Sequence, residues 1–164
     1  MFLTKIKRLR RTATFTPEWD LRFLGLAKEI STWSKDPSTK VGAVLVDDNK
    51  IVVGKGYNGF PRGVQDYKER YDDRELKYKL VVHAEVNAIL QAGDKSHNCT
   101  MYIYPSFALP PICNECCKIA IQAGVKEIVG TKPDMNDPRV QRWQESIGIS
   151  KMMCDETGII YRGI

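Results

Sequence analysis

The 164-residue sequence contains no apolar run approaching membrane-spanning length, which excludes a transmembrane helix. It has no internal repeat and no low-complexity tract, so a repeat array and a disordered, biased chain are set aside. Its five cysteines do not suggest a disulfide framework in a chain of this size, and thiols kept reduced predict a cytoplasmic setting. Acidic residues are missing from positions 1–11, which hold Lys5, Lys7, Arg8, Arg10 and Arg11. No apolar segment follows these charges, so no secretory signal is predicted, although the Arg-rich, Thr-containing start has some transit-peptide character. The other twenty Lys and Arg balance the twenty Asp and Glu, so the net charge of +5 lies on this basic arm, residues 1–15. Such an arm suits nucleic acid or a phosphorylated ligand, and equally a solvated tail or a subunit contact. The hydrophobic and charged fractions, 43% and 27%, are ordinary for a soluble globular chain and predict one domain over 1–164 with a real core.

What is present is concentrated in two short segments. His83-Ala84-Glu85 is followed, thirty positions after the histidine, by Cys113-Asn114-Glu115-Cys116. Zinc takes nitrogen and thiolate ligands in tetrahedral geometry, and a catalytic site keeps one corner open for water. His83, Cys113 and Cys116 supply three ligands and leave that corner. Glu85 stands two residues from His83, close enough to reach the water without occupying the metal. His-x-Glu followed later by Pro-Cys-x-x-Cys is the general pattern of zinc nucleobase deaminases. A closed structural zinc site needs a fourth His or Cys. His97, Cys99, Cys117 and Cys154 remain, but none forms a second Cys-x-x-Cys. Buried core thiols and a structural histidine are the other reading of these residues taken singly.

Apolar spacing over 18–33 predicts a helix with a broad apolar face, with Thr16 as N-cap and Pro17 in the first turn. Residues 41–46 and 51–54 read as strands of an antiparallel hairpin turning at Asp47-Asp48-Asn49. Tyr57 to Gly63 is a Gly- and Pro-containing loop, and 64–80 reads as a charged, exposed insertion with helical parts. A helix is predicted from Ala84 to about Gln91, a strand over 100–104, a helix from Cys113 to Gln122 and a strand over 127–130. A helix over 137–147 and a last strand over 151–154 complete the pattern. The order predicts a three-layer α/β/α sandwich around a mixed sheet of about five strands. Both zinc half-motifs then start helices, where the positive helix end favours the Cys113 thiolate.

Three further segments carry a family resemblance: Ser34-Lys35-Asp36-Pro37-Ser38-Thr39-Lys40-Val41-Gly42-Ala43-Val44, Gly56-Tyr57-Asn58-Gly59-Phe60-Pro61-Arg62-Gly63 and His83-Ala84-Glu85-Val86-Asn87-Ala88-Ile89. Over about 18–130 the chain resembles the deoxycytidylate (dCMP) deaminases of the cytidine deaminase superfamily. The resemblance implies hydrolytic deamination of dCMP to dUMP and ammonia, with Glu85 moving the protons. It implies that Ala84 holds the base through its backbone and that Asn58 hydrogen-bonds the sugar. It also implies a homo-oligomer, commonly a hexamer, activated by dCTP and inhibited by dTTP with Mg²⁺ on the triphosphate, and it ties Gly56, Tyr57, Asn58 and Gly59 to the effector site. For the 5′-phosphate, Lys35, Lys40 and Arg62 are the candidates, since each lies in a loop expected near the pocket. The chain departs from the family pattern at Ile112, which separates Pro111 from Cys113, and in a longer loop over 106–111. A tRNA adenosine deaminase shares the zinc chemistry and would use the basic arm, but the Ser-Lys-Asp-Pro and Tyr-Asn-Gly-Phe-Pro segments favour the nucleotide branch, with no nucleic-acid partner. A non-catalytic zinc-binding module would have no use for Glu85.

Overall fold

The structure is a computed structural model and describes residues 13–164. Helix α1 (Pro17–Ser31) precedes a hairpin of β1 (Gly42–Val46) and β2 (Val52–Tyr57). Two short helices follow, α2 (Lys68–Asp72) and α3 (Arg74–Leu80), and then α4 (Ala84–Ala92) and β3 (Thr100–Tyr104). Helix α5 (Asn114–Gln122), β4 (Glu127–Gly130), α6 (Pro138–Arg142), α7 (Gln144–Thr157) and β5 (Ile160–Gly163) complete the chain.

The five strands form one mixed sheet in the order β2-β1-β3-β4-β5. Strand β1 pairs antiparallel with both β2 and β3, whereas β3, β4 and β5 run parallel. Every residue of β1 is buried, because both faces of the sheet are covered. Ala43 and Leu45 face a core built with Ala84 and Ala88 of α4, Cys116 of α5 and Cys154 of α7. Val44 and Val46 face the opposite way, against Phe23, Ala27 and Ile30 of α1. Alternation along one strand therefore feeds two cores and gives the three predicted layers.

Helix α1 begins at Pro17 behind Thr16 as expected but stops at Ser31, two residues early, leaving Trp33 exposed beside the Tyr57 ring. The predicted 137–147 helix is divided at Trp143 into α6 and α7. The last strand is misplaced in the sequence reading: residues 151–154 lie inside α7, where Cys154 turns toward Cys117 of α5. That helix ends at Gly158, which adopts φ +77°, and β5 follows it. The segment 64–80 is helical in two pieces but not simply exposed. Tyr71 is buried and stacked on Phe60, and Lys77 is buried against Asp36. Of the basic arm, residues 1–12 lie outside the described residues. Beyond them, the Thr14 amide donates to Glu127 and Phe15 packs on Phe23.

Candidate functional site

Each zinc half-motif sits at a helix start. His83 occupies the N-cap of α4, and Cys113 occupies the N-cap of α5 with its sulfur accepting from the Cys116 amide. Both N-cap residues have extended backbone, so their side chains leave the helix end while Cys116 returns one turn later on the same face. The His83 Nδ1 lies 3.5 Å from the Cys113 sulfur and 3.3 Å from the Cys116 sulfur. All three ligand atoms fall within 4.8 Å of one another, and no other group of this kind occurs among the described residues. A tetrahedral zinc with ordinary bond lengths sets nitrogen and sulfur about 3.5 Å apart, so the donor set fits the ion in both chemistry and spacing.

The structure also decides against a closed site among the described residues. Cys117 and Cys154 face each other between α5 and α7, with sulfurs 3.7 Å apart. The Cys99 thiol donates to the Lys95 carbonyl, and His97 lies against Gly124. None of them joins the triad, so a tetrahedral ion held by these three residues would keep one corner for a small molecule.

The electrostatics follow from this packing. A hydrogen bond from Cys116, aided by His83, holds the Cys113 thiol down at about 4 against the opposing effect of burial. The same hydrogen bond and burial push Cys116 up. The Cys113 sulfur raises His83 to about 9 against its burial. Glu85 is buried, at 6% exposure, and desolvation raises its carboxyl above the usual range, with His83 pulling the other way. A carboxyl displaced in that direction is suited to carry a proton near neutral pH.

His83, Cys113 and the Glu85 carboxyl line one cavity of about 870 Å³, with Cys116 behind them within reach of both ligand atoms. Ala84 and Asn58 also line it. The Ala84 amide stands in the first turn of α4, where a helix leaves its N–H groups without an internal partner. Asn58 is buried, and its amide fastens the preceding loop: Oδ1 accepts from the Val41 amide at 2.7 Å and Nδ2 donates to the Thr39 carbonyl at 2.9 Å. Lys35, Lys40 and Arg62 do not line the cavity. Lys35 is exposed in an ion pair with Asp66 at 2.7 Å, and Lys40 and Arg62 are exposed. Gly56 is buried against α4, whereas Tyr57 is exposed and its carbonyl accepts from Asn87. Gly59 bridges to Val82.

The inserted Ile112 is 2% exposed and joins the core beneath α4 and α5, so the additional residue becomes packing and Cys113 keeps its cap position. Sequence reasoning did not single out Arg74 and Lys77 of α3, or Arg139 and Arg142 of α6, all of which line the cavity. The signal available for the second pair was two arginines three positions apart just after Pro138, a spacing that puts both on one helix face.

The family model for the cytidine and deoxycytidylate deaminase zinc-binding region matches residues 17–132. The chain belongs to this deaminase family. An uncharacterized deaminase of Aliivibrio fischeri is 37% identical over 144 residues, covering 87% of this chain and 90% of its own. The deoxycytidylate deaminase of Pongo abelii is 34% identical over 151 residues, covering 88% of this chain and 79% of its own. A dCMP deaminase from the cyanophage S-TIM5, solved with dCMP and dUMP, superposes with a TM-score of 0.68 at 22% identity, over 92% of this chain and 99% of that one. That likeness shows the cytidine deaminase-like fold. The match spans both halves of the zinc motif and ends just after β4, before the arginines of α6.

Proposed function

We propose that the chain is a zinc-dependent dCMP deaminase that converts dCMP and water to dUMP and ammonia. The carrying observation is the convergence of His83, Cys113 and Cys116 on one point, at a cavity that His83 and Cys113 line together with the buried Glu85. His83, Cys113 and Cys116 would hold the ion, which supplies the Lewis acidity that makes water a nucleophile near neutral pH. Glu85 takes a proton from that water and delivers it to N3 of the pyrimidine as oxygen adds at C4. It then takes the second proton, from the hydroxyl now on C4, and delivers it to the C4 amine; the carbon–nitrogen bond breaks, the C4 oxygen becomes the carbonyl of dUMP and ammonia is released. One carboxyl can serve both transfers if the ring edge and the water lie on the same side of it. The Ala84 amide orients the base, and Asn58, fixed by the 39–41 loop, meets the sugar. Relatives named as deoxycytidylate deaminases support this choice of substrate. Ammonia release from dCMP, measured beside dCTP, cytidine and adenosine-containing tRNA, tests it. Turnover of dCMP far above that of the free nucleoside, dCTP or tRNA is expected, and inosine formation in tRNA with inert dCMP would replace the assignment.

Regulation belongs to the same reading. The chain works as a homo-oligomer, a hexamer by family resemblance, with dCTP and Mg²⁺ activating and dTTP inhibiting through the 56–59 segment. The exposed Tyr57, at the end of β2 and beside Trp33, offers a surface for such contacts. Sigmoidal dCMP kinetics that become hyperbolic with dCTP are expected; hyperbolic kinetics indifferent to both triphosphates would remove the effector site. Light scattering of the purified protein reads the subunit count. Among the described residues no helix is long and apolar enough to cross a membrane, and we place the enzyme in the cytoplasm.

A further inference from the structure

The cavity wall carries four cationic side chains besides His83, and their partners differ. Lys77 is the most buried, but its ammonium is matched by Asp36 at 3.3 Å and donates to the Ser38 hydroxyl at 2.7 Å. Arg74 donates to the Tyr78 hydroxyl and lies over that ring, on the exposed side of α3. The remaining two come from α6. Arg139 is half-buried and held flat: its Nε and Nη2 form a fork with Asp137, at 2.9 Å and 2.6 Å, and its guanidinium lies 4.3 Å over the Phe107 ring. A guanidinium has five N–H donors, so this arrangement leaves three of them free while fixing the plane. Arg142 is three residues further, on the same helix face, and forms no ion pair among the described residues. Here, then, two guanidinium groups face one cavity with only Asp137 beside them: it forks Arg139, which is preoriented, and is also drawn down by the charge of Arg142, which is exposed and makes no ion-pair contact of its own among the described residues.

A phosphate monoester brings close to two negative charges and several strong acceptor oxygens, and planar guanidinium groups match it better than any other side chain. We propose that Arg142, with Arg139 as its rigid neighbour, reads the 5′-phosphate of the nucleotide, so that preference for nucleotide over free nucleoside resides in the 137–142 segment and not in Lys35, Lys40 or Arg62. This rests on the dCMP deaminase reading and adds the residues that enforce it. Asp137 acts as a positioning residue, and Phe107, in the loop that departs from the family pattern, supplies the surface on which Arg139 lies.

The test compares wild-type protein with Arg142→Ala, Arg139→Ala and Arg142→Lys, all zinc-loaded, on dCMP and on deoxycytidine. Arg142→Ala is expected to raise KM for dCMP about 10- to 100-fold with little change in kcat, and to leave the slow turnover of deoxycytidine as it was. Arg142→Lys should recover part of the loss. Calorimetric titration with dUMP and deoxyuridine gives a readout independent of turnover: the variant should lose affinity for dUMP alone. An unchanged KM and dUMP affinity in both alanine variants, with wild type active on dCMP, would overturn the arginine assignment only. Equal losses on dCMP and deoxycytidine would overturn it too, as damage to the fold. Wild-type protein inert toward dCMP yet binding dUMP through Arg142 would sink the proposed reaction and leave the phosphate site standing.

Discussion

Glu85 carries the proton transfers in the reaction we propose. It is buried, and desolvation raises its carboxyl against the opposing pull of His83 and of a hydrogen bond with Cys116, so holding it there costs some stability. Glu85→Gln keeps the shape and removes the exchange. Turnover should fall by at least about 10²-fold while zinc content, read by metal analysis, stays at the wild-type value. A second buried acid behaves oppositely. Burial raises Asp36, but the Ser38 amide and hydroxyl, the Thr39 amide and the Lys77 ammonium outweigh it and hold the carboxyl below the usual aspartate range. Because the folded-state value is depressed, this stabilisation is present above the unfolded value of about 3.9 and is lost as pH falls through the native one. Urea unfolding of wild type and Asp36→Asn should therefore converge as pH is lowered from 6 toward 3. Lys77→Met leaves the charge buried and unpaired, and is expected to cost about 3 kcal/mol near neutral pH.

At the level of elements, β2 and α4 pack so closely that two positions exclude any side chain. A Cβ on Gly56 would lie 2.3 Å from the Ala84 carbonyl and 2.4 Å from the Ala88 amide, and one on Gly54 would lie 2.4 Å from the Ala88 carbonyl. The neighbours are helix backbone, which cannot rotate away. Gly56 therefore has a packing reason to be glycine, whatever part the 56–59 segment plays with effectors. Gly56→Ala should push the first turn of α4 off the sheet and carry His83 and Glu85 with it. We expect a loss above about 2 kcal/mol in unfolding measurements, together with weaker zinc retention. An alanine variant with wild-type stability and zinc content would show that α4 can slide without cost.

Across the whole molecule, a metal held by His83, Cys113 and Cys116 would join two separate runs of chain. His83 caps α4 and the cysteines begin α5, so a bound ion ties two helices of one layer across the floor of the cavity. Ligand binding confined to the folded state adds to its stability. Chelation should abolish ammonia release and lower the melting temperature, and stoichiometric zinc should restore both. Activity surviving in metal-free protein would refute the mechanism. The three-layer packing itself should persist without metal, because the cores on both faces of β1 are apolar and complete.

Spacing alone was enough for much of this. The His-x-Glu and Cys-x-x-Cys segments pointed to the three donors that the fold brings within 4.8 Å of one another, because metal chemistry demands few residue types at few separations. The strands of 42–46, 100–104 and 127–130 were legible because both faces of the sheet are covered, so continuous apolar runs were required. The strand placed over 151–154 failed where local composition was ambiguous. Lys151 to Cys154 is apolar enough for either state, and the contact of Cys154 with Cys117 on a neighbouring helix decided it. The 64–80 segment read as solvent-facing because its charges are many, yet Lys77 is inside, since the partner that neutralises it lies forty-one positions earlier. Lys35 drew attention for a loop position, and the fold turned it toward Asp66 at the surface. Residue identity thus determined the reaction chemistry, which depends on which atoms can bind metal and move protons. Only the tertiary structure decided which charges face the cavity, because electrostatic pairing depends on distance in space and is indifferent to distance along the chain.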